Sequence, residues 1–256
     1  LEMLDAEKPS AVCLNVPERF TCEIGCQVMQ RGYPLLAEKP PGVTVAEVDR
    51  LSETARATGV IHQVAFNRRC TPLVTELKRR LVGSAIHHID CHFYRVGRTN
   101  GDFTTTAIHA IDTVRFLAGC DYQQVRFHYQ EFPEYGPQVG VANYFLDCTF
   151  TCGATATLSI CPVTGVTVER TVLHTTGSKA ASTFVLKMNQ GPDAPGSLQQ
   201  FEKGQLVLDL NAAQFTSSGD QEHRSDDFVL SGFEAEDTAF FTAVRAGQQP
   251  AHDFTS

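Results

Sequence analysis

Three short apolar runs that alternate with helical patterns limit most strongly what this chain can fold into. The runs and the helical segments that follow them cover residues 11–16, 20–31, 33–37, 44–59, 60–66 and 71–83. The second helix begins with a Thr44–Glu47 capping box, and the third with Thr71 before Pro72. Short buried strands that alternate with helices form a parallel sheet with helices on its faces. We therefore predict an α/β domain at the start of the chain.

The second half of the chain carries a different pattern. Strand-like segments rich in Val, Thr, Phe and Tyr occupy residues 86–95, 122–132, 139–151, 154–162, 166–176 and 180–188. Residues 189–227 are polar and rich in turn residues, and a last helix is predicted over 234–247. The sequence therefore predicts two domains, residues 1–84 and residues 85–256, and the second is an α+β domain with a mostly antiparallel sheet.

The composition excludes several classes of partner. The 256 residues carry a formal net charge of -8 and no long Lys/Arg run, so we expect no nucleic-acid partner, because such binding rests on phosphate neutralisation. No apolar run approaches the ~20 residues that span a bilayer, so no membrane partner is expected. The nine cysteines are irregularly spaced, and Cys148 and Cys152 are expected on one strand, which favours free thiols over a disulfide framework. Reduced thiols favour a cytoplasmic location.

Glu38, Lys39 and Pro40 follow the second apolar run, at the edge where a parallel sheet binds its ligand. An ammonium group there can donate a hydrogen bond to a substrate hydroxyl and stabilise developing alkoxide charge. The proline after the lysine restricts the backbone and so helps to aim the lysine side chain. From the residues alone, the alternative is a surface loop that holds a salt bridge.

His109 and Asp112 stand three residues apart on a predicted helix, so their side chains share one face. Histidine is the usual general base because its unperturbed pKa lies near neutral pH. The alternative is a half-buried helix histidine that binds a backbone carbonyl. A second cluster, His88 and His92 with Asp90, lacks a further set of side chains at ligand spacing, so we expect no metal site.

Three stretches together resemble the glucose-fructose oxidoreductase / inositol dehydrogenase / MocA (Gfo/Idh/MocA) family. They are LLAEKPPGVTVAEVDRL, HQVAFNRRCTP and AIHAIDTVRFLAG, which combine a Glu-Lys-Pro signature with a His-x-x-Asp helix about seventy residues later. The resemblance implies an N-terminal Rossmann domain, a C-terminal domain with an open, mostly antiparallel sheet, and NAD or NADP as cofactor. It also implies oxidation of a sugar or polyol hydroxyl, or the reverse reduction, and a homo-oligomer, a dimer or tetramer.

The resemblance assigns roles by position. Lys39 would bind the reacting hydroxyl beside the nicotinamide, and His109 would be the acid/base group, so we expect both side chains to reach one small pocket. Residues expected to contact the cofactor are Asn15, Val16, Pro17, Glu38, Lys39, Pro40 and Asn67. Residues expected to contact the substrate are Arg69, Thr105 and Asp112.

The sequence departs from the family pattern in two places. Thr105 stands where the family usually has an aspartate four residues before the histidine. The chain also contains no GxGxxG turn, so we expect the Rossmann sheet to be incomplete, with its first βαβ unit upstream of Leu1 in a longer gene product. We expect the chain as given to bind dinucleotide weakly or not at all. Two other functions stay open: an NAD-dependent glycosidase, and a non-catalytic ligand-binding or regulatory member.

Overall fold

The structure is a computed structural model that describes residues 1–99, 104–135, 140–177, 180–188, 190, 196–216 and 226–254. Its α-helices are α1 (Glu2–Glu7), α2 (Glu18–Gln30), α3 (Val45–Thr58), α4 (Pro72–Leu81), α5 (Thr104–Ala118), α6 (Asp226–Leu230) and α7 (Phe233–Ala246). Its strands are β1 (Val12–Leu14), β2 (Leu35–Glu38), β3 (His62–Ala65), β4 (Ala85–Tyr94), β5 (Tyr122–Glu131), β6 (Ala142–Phe150), β7 (Thr155–Cys161), β8 (Val168–Thr176), β9 (Ala181–Lys187), β10 (Ser197–Glu202) and β11 (Gln205–Asn211).

The three predicted strands form a parallel sheet in the order β1-β2-β3. Helices α2 and α3 cover it, and their apolar residues form one core with the strands, which includes Met29, Leu35 and Leu51. Helix α3 begins with the predicted capping box, in which the Thr44 hydroxyl accepts a hydrogen bond from the Glu47 N–H. The Rossmann-type α/β prediction is therefore confirmed.

The last helix and the segment after it belong to the same compact unit as the parallel sheet. Phe240 on α7 packs against Leu36 and Ala65. Beyond the helix, the Gln249 side chain bonds the backbone on both sides of Ile61, and the His252 carbonyl accepts a hydrogen bond from Val64. This unit comprises residues 1–67 and 233–256, of which 255–256 lie outside the described residues.

The second compact unit, Arg68–Gly232, is built on an eight-stranded sheet in the order β11-β10-β9-β8-β4-β7-β6-β5. Only the β4–β7 pair is parallel among the strand pairs of this sheet, so the expected open, mostly antiparallel sheet is confirmed. Helix α5 packs on β4 and β7, and the core between them includes Ile89, Val114 and Leu158.

The units divide at Asn67/Arg68, whereas the sequence suggests a boundary near residue 84. The physical reason is the amphipathic face of α4. Its residues Leu73, Val74 and Leu77 are buried in the core of the eight-stranded sheet. A helix that follows a strand of the parallel sheet thus packs on the other unit, and sequence periodicity does not reveal which core receives a helix.

Within residues 189–227, which the sequence shows to be polar and rich in turn residues, the structure has two strands that the sequence analysis did not predict. Strands β10 and β11 form a hairpin there, joined by Lys203 and Gly204, both with positive φ (51° and 78°). Two central residues with positive φ make a type I′ turn, whose twist suits a two-residue hairpin. Along β11, Leu206, Leu208 and Leu210 occupy alternate positions, whereas the polar β10 shows no such alternation and so gave no sign of a partner strand.

Two cysteines differ from the expectation of free thiols. Cys120, just after α5, forms a disulfide with Cys152, which lies in the turn after β6 and not on the strand with Cys148. The other seven cysteines are not in disulfides, and five of them are buried. Among the described residues, no helix is long and apolar enough to cross a membrane.

Candidate functional site

The carboxyl end of the parallel sheet brings together the residues predicted to contact the cofactor. Leu14 lies opposite Ala37, and Glu38 lies opposite Ala65. The residues that follow these strands therefore leave the sheet at one edge. They are Asn15, Val16 and Pro17 after β1, Glu38, Lys39 and Pro40 at the end of β2, and Asn67 after β3.

Lys39 follows directly after the last residue of β2. Its backbone N–H donates a 3.2 Å hydrogen bond to the Glu38 carboxylate, and the peptide bond between Lys39 and Pro40 is cis. Both charged side chains are half-buried, whereas Asn67 in the turn after β3 is buried. The lysine thus lies where the sequence predicts it, at the ligand edge of the sheet.

The chemistry of this edge fits the ribose and nicotinamide end of a dinucleotide. The exposed Asn15 amide can donate and accept hydrogen bonds, and the Glu38 carboxylate can accept them from hydroxyl groups. The helix N-termini do not fit a pyrophosphate. Helix α2 begins with Glu18 in its first turn, and the Glu47 carboxylate already accepts the N–H of Thr44. A carboxylate at a helix start repels the anion that the dipole would otherwise attract.

His109 lies on α5 in the second unit, and 6% of its surface is exposed. It lines a cavity of about 10 Å³ between α5 and the strands β4 and β8, room for roughly one water molecule. Other side chains around this cavity are those of Cys91, His92, Thr113, Glu169, Thr171 and Met188. The sequence left open a half-buried histidine, but in the structure His109 is buried. The cavity that it lines is also lined by the carboxylate of Glu169.

Asp112, one helical turn after His109, is engaged by Arg69. The guanidinium binds the carboxylate through Nε at 3.0 and 3.1 Å and through Nη2 at 2.5 Å. Burial raises the pKa of Asp112, and Arg69 opposes that rise. Only 5% of the Arg69 side chain and 7% of the Asp112 side chain are exposed. The pair therefore anchors α5 and so orients His109, while a contact of either residue with substrate stays a prediction.

Thr105 belongs to the first turn of α5, and its side chain lies outside the described part of the structure. Its neighbour Thr106 accepts a 3.1 Å hydrogen bond from Arg98. The substrate role of Thr105, like the roles of the other candidate residues, stays a prediction.

Sequence reasoning missed a buried ion cluster at the same cavity. Glu169 on β8 accepts hydrogen bonds from Arg68, at 2.8 and 3.1 Å, and from Arg95. Burial by itself would raise the pKa of Glu169, but the two guanidinium groups lower it below its ordinary value. The signal was present in the strand pattern, since Glu169 alternates with Thr171 and Leu173, which are buried.

The histidines of β4 are engaged with strand neighbours. His92 Nε2 lies 3.4 Å from an Asp90 oxygen, and His88 Nδ1 lies 2.8 Å from the Thr155 hydroxyl. Within the described ranges, no group of three or more His, Cys, Asp or Glu side chains could hold a metal ion.

Comparison with known proteins gives the class of the chain. Residues 1–66 match the family model GFO_IDH_MocA, described as an oxidoreductase family with an NAD-binding Rossmann fold. The chain is 28% identical over 140 residues to scyllo-inositol 2-dehydrogenase (NAD(+)) of Bacillus subtilis, a match that covers 50% of the chain and 40% of that protein. It is 26% identical over 132 residues to the rhizopine catabolism protein MocA of Rhizobium meliloti, covering 46% and 41%. The chain thus spans about two fifths of each relative.

A solved structure supports the fold. A dehydrogenase from Chromobacterium violaceum superposes with a TM-score of 0.77 at 20% identity, over 100% of this chain and 74% of that one. The family model over residues 1–66 and the curated relatives over about half of the chain support a Gfo/Idh/MocA family oxidoreductase. The sequence resemblance is therefore confirmed.

Proposed function

We propose that the protein is an NAD(P)-dependent oxidoreductase that transfers a hydride between a sugar or polyol hydroxyl and nicotinamide. The observation that carries the proposal is the match of residues 1–66 to a family of NAD-binding oxidoreductases, together with the similarity to a scyllo-inositol 2-dehydrogenase. The position of Lys39 at the ligand edge of the parallel sheet and of His109 at a buried cavity agrees with it.

Each proposed side chain has a defined task. The Lys39 ammonium donates a hydrogen bond to the reacting oxygen and stabilises the negative charge that develops there. His109 removes the hydroxyl proton when the alcohol is oxidised and returns it in the reverse direction. Asn15 and Glu38 hydrogen-bond ribose hydroxyls and so position the cofactor. When bound, the nicotinamide supplies the redox chemistry, taking up the hydride from the substrate carbon or giving it back.

The test is dehydrogenase activity of the complete natural protein. Reduction of NAD and of NADP is followed by absorbance across a panel of inositols, hexoses and sugar acids. We expect Lys39→Ala and His109→Ala each to lower kcat/KM by about 10²–10⁴. Lys187→Ala and His174→Ala, exposed residues of the eight-stranded sheet, are matched controls and should retain normal activity. Near-normal activity of both Lys39→Ala and His109→Ala would refute the assignment.

The two substitutions together test whether the residues serve one step. Residues that act as a unit show strongly non-additive losses. We therefore expect the double variant to lose about as much as the more damaged single variant. Losses that multiply would mean that Lys39 and His109 contribute independently.

Release of sugar from an aryl glycoside without net cofactor reduction would instead identify the glycosidase, and dinucleotide binding without any turnover would identify a non-catalytic member.

We also propose a cytoplasmic homo-oligomer, a dimer or tetramer. The edge strand β5 leaves Val125, Phe127 and Tyr129 exposed on one face, at 43%, 66% and 56%. Contiguous exposed apolar side chains of this kind are usually covered by a partner. Light scattering during gel filtration tests the proposal, and Phe127→Glu should then shift the mass toward the monomer. A monomeric wild type would refute it.

A further inference from the structure

The buried carboxylate of Glu169 has no task in the proposed chemistry. It lies on β8 with 8% of its side chain exposed, and Arg68 and Arg95 both bind it. Arg95 also places its guanidinium 3.8 Å above the ring of Phe93. Burying a charge is costly unless it is paired, so a sheet that only needed packing would carry an apolar residue here. The arrangement therefore calls for a reason beyond packing.

His109 supplies such a reason, because it lines the same cavity of about 10 Å³ as Glu169. The space admits roughly one water molecule, so little water screens the charge of one group from the other. The other charged or titratable side chains near the imidazole are Cys91 and His92 on β4, Arg170 on β8, and Asp112 on the helix of His109 itself. Asp112 is bound by Arg69 and does not line the cavity, whereas Glu169, which is bound by Arg68 and Arg95, does. Glu169 is therefore the carboxylate that shares the cavity with His109.

We propose that Glu169 is a positioning residue that sets the protonation equilibrium of His109 across this cavity. The anion favours the protonated imidazole, while Arg68 and Arg95 keep the carboxylate ionised and limit the size of the effect. Glu169 thus holds a negative charge at the cavity that His109 lines. Its importance for turnover rests on the proposed function, but the titration of His109 does not.

The sign of each substitution follows from the charges. Glu169→Gln removes the anion and leaves two guanidinium groups beside the imidazole, so the titration midpoint of His109 should fall, by about one pH unit. Glu169→Asp keeps the charge and should leave the midpoint close to that of the wild type. Arg68→Met removes one positive charge and should move the midpoint upward.

The experiment is an NMR titration of the histidine ring signals in the chain without substrate, with His109 assigned from the spectrum of His109→Gln. Glu131→Gln, an exposed glutamate on the edge strand β5, is the matched control and should not move the midpoint. Because the experiment does not measure turnover, a negative result for Glu169 would not refute the proposed function. Conversely, a protein without dehydrogenase activity can still show the shift.

The outcomes separate a charge effect from a structural clamp. A fall with Glu169→Gln, with the midpoint kept by Glu169→Asp, supports the proposal. A midpoint unchanged by Glu169→Gln in a folded protein overturns it, because Glu169 would then only tie three segments together. If Glu169→Gln does not fold, Arg68→Met decides: an upward shift supports the proposal and no shift overturns it. In the active protein, the acid limb of the pH profile of kcat/KM should move with the NMR midpoint.

Discussion

The ligand edge of the parallel sheet and the cavity beside His109 are built in opposite ways. At the edge, Asn15 and Lys39 follow strand ends and are exposed or half-buried. In the second unit, Glu169 at the cavity and Asp112, one helical turn after His109, are buried and each is bound by arginine. The end of a strand folds in the same way with many different side chains, whereas a buried charge is tolerated only when an oppositely charged group binds it. Substitutions at the edge should therefore cost little stability. Substitutions of the buried carboxylates should lower the stability of the second unit as well as its activity.

The largest effect is expected from Asp112→Ala, which leaves Arg69 buried without its carboxylate. Removing one partner of a buried pair costs about 3–5 kcal/mol of the free energy of unfolding. The matched control is Asp121→Ala, which breaks a surface pair with Arg115 in which 68% of the aspartate side chain is exposed, and should cost about 0–1 kcal/mol. Urea unfolding measures the free energy of unfolding of both variants. Similar losses would mean that the buried pair stabilises the protein no more than a surface pair does.

The pH dependence of stability should report Glu169. Its pKa in the folded protein is lowered from the ordinary 4.5, so its stabilisation is complete above that pH and is lost as the pH falls through the folded pKa. At pH 7, Glu169→Gln should lower Tm by about 5–10 °C. This gap should narrow as the pH is lowered toward 3, because acid removes the same charge from the wild type. A gap that stays constant with pH would show that packing and not charge is lost.

A smaller loss is expected where the parallel sheet leads into α3. Thr44→Ala removes the hydroxyl that caps this helix and should cost about 1 kcal/mol. Ser52→Ala, in the middle of the same helix, is the control and should be neutral or slightly stabilising, because alanine is the better helix former. Thermal unfolding of the two variants gives the difference. If both lose equally, the cap contributes nothing specific.

The smallest effect on stability is expected at Lys39. Lys39→Ala should change the free energy of unfolding by no more than about 0.5 kcal/mol, although it should abolish most activity. Lys78→Ala makes the comparison sharp, because Lys78 donates a 2.8 Å hydrogen bond to the Phe116 carbonyl and lies 4.9 Å from the Phe116 ring centre. It should cost about 1–2 kcal/mol. A larger loss of stability for Lys39→Ala than for Lys78→Ala would mean that side chains at the ligand edge contribute to stability as much as those of the second unit.

Much of the fold could be predicted because its signals are local. The capping box at Thr44 and the proline after Thr71 begin α3 and α4 where expected. Strands β1 and β3 lie inside the predicted runs, and β2 extends one residue beyond its run, to Glu38. The β10–β11 hairpin was missed because β10 shows no alternation, although Leu206, Leu208 and Leu210 alternate along β11. The Cys120–Cys152 bond was missed because spacing does not show which thiols meet across a core.

The candidate site divides in the same way. Lys39 could be located from sequence, since a charged residue directly after a buried strand must leave the sheet at its carboxyl edge. His109 and Asp112 could be placed on one helix face by their spacing. That Asp112 pairs with Arg69, and that Glu169 shares a cavity with His109, could not be inferred. Contacts between residues 43 or 60 positions apart depend on which helix packs on which strand.

The sequence by itself determined the parallel strands, the capped helices and the family resemblance, because each follows from short-range patterns of apolar, capping and signature residues. The tertiary structure alone decided that α4 joins the second unit, that α7 returns to the first, and that two carboxylates beside His109 are held by arginines. The physical reason is that a buried charge is set by the groups packed around it. Those groups come from distant parts of the chain, and only folding brings them together.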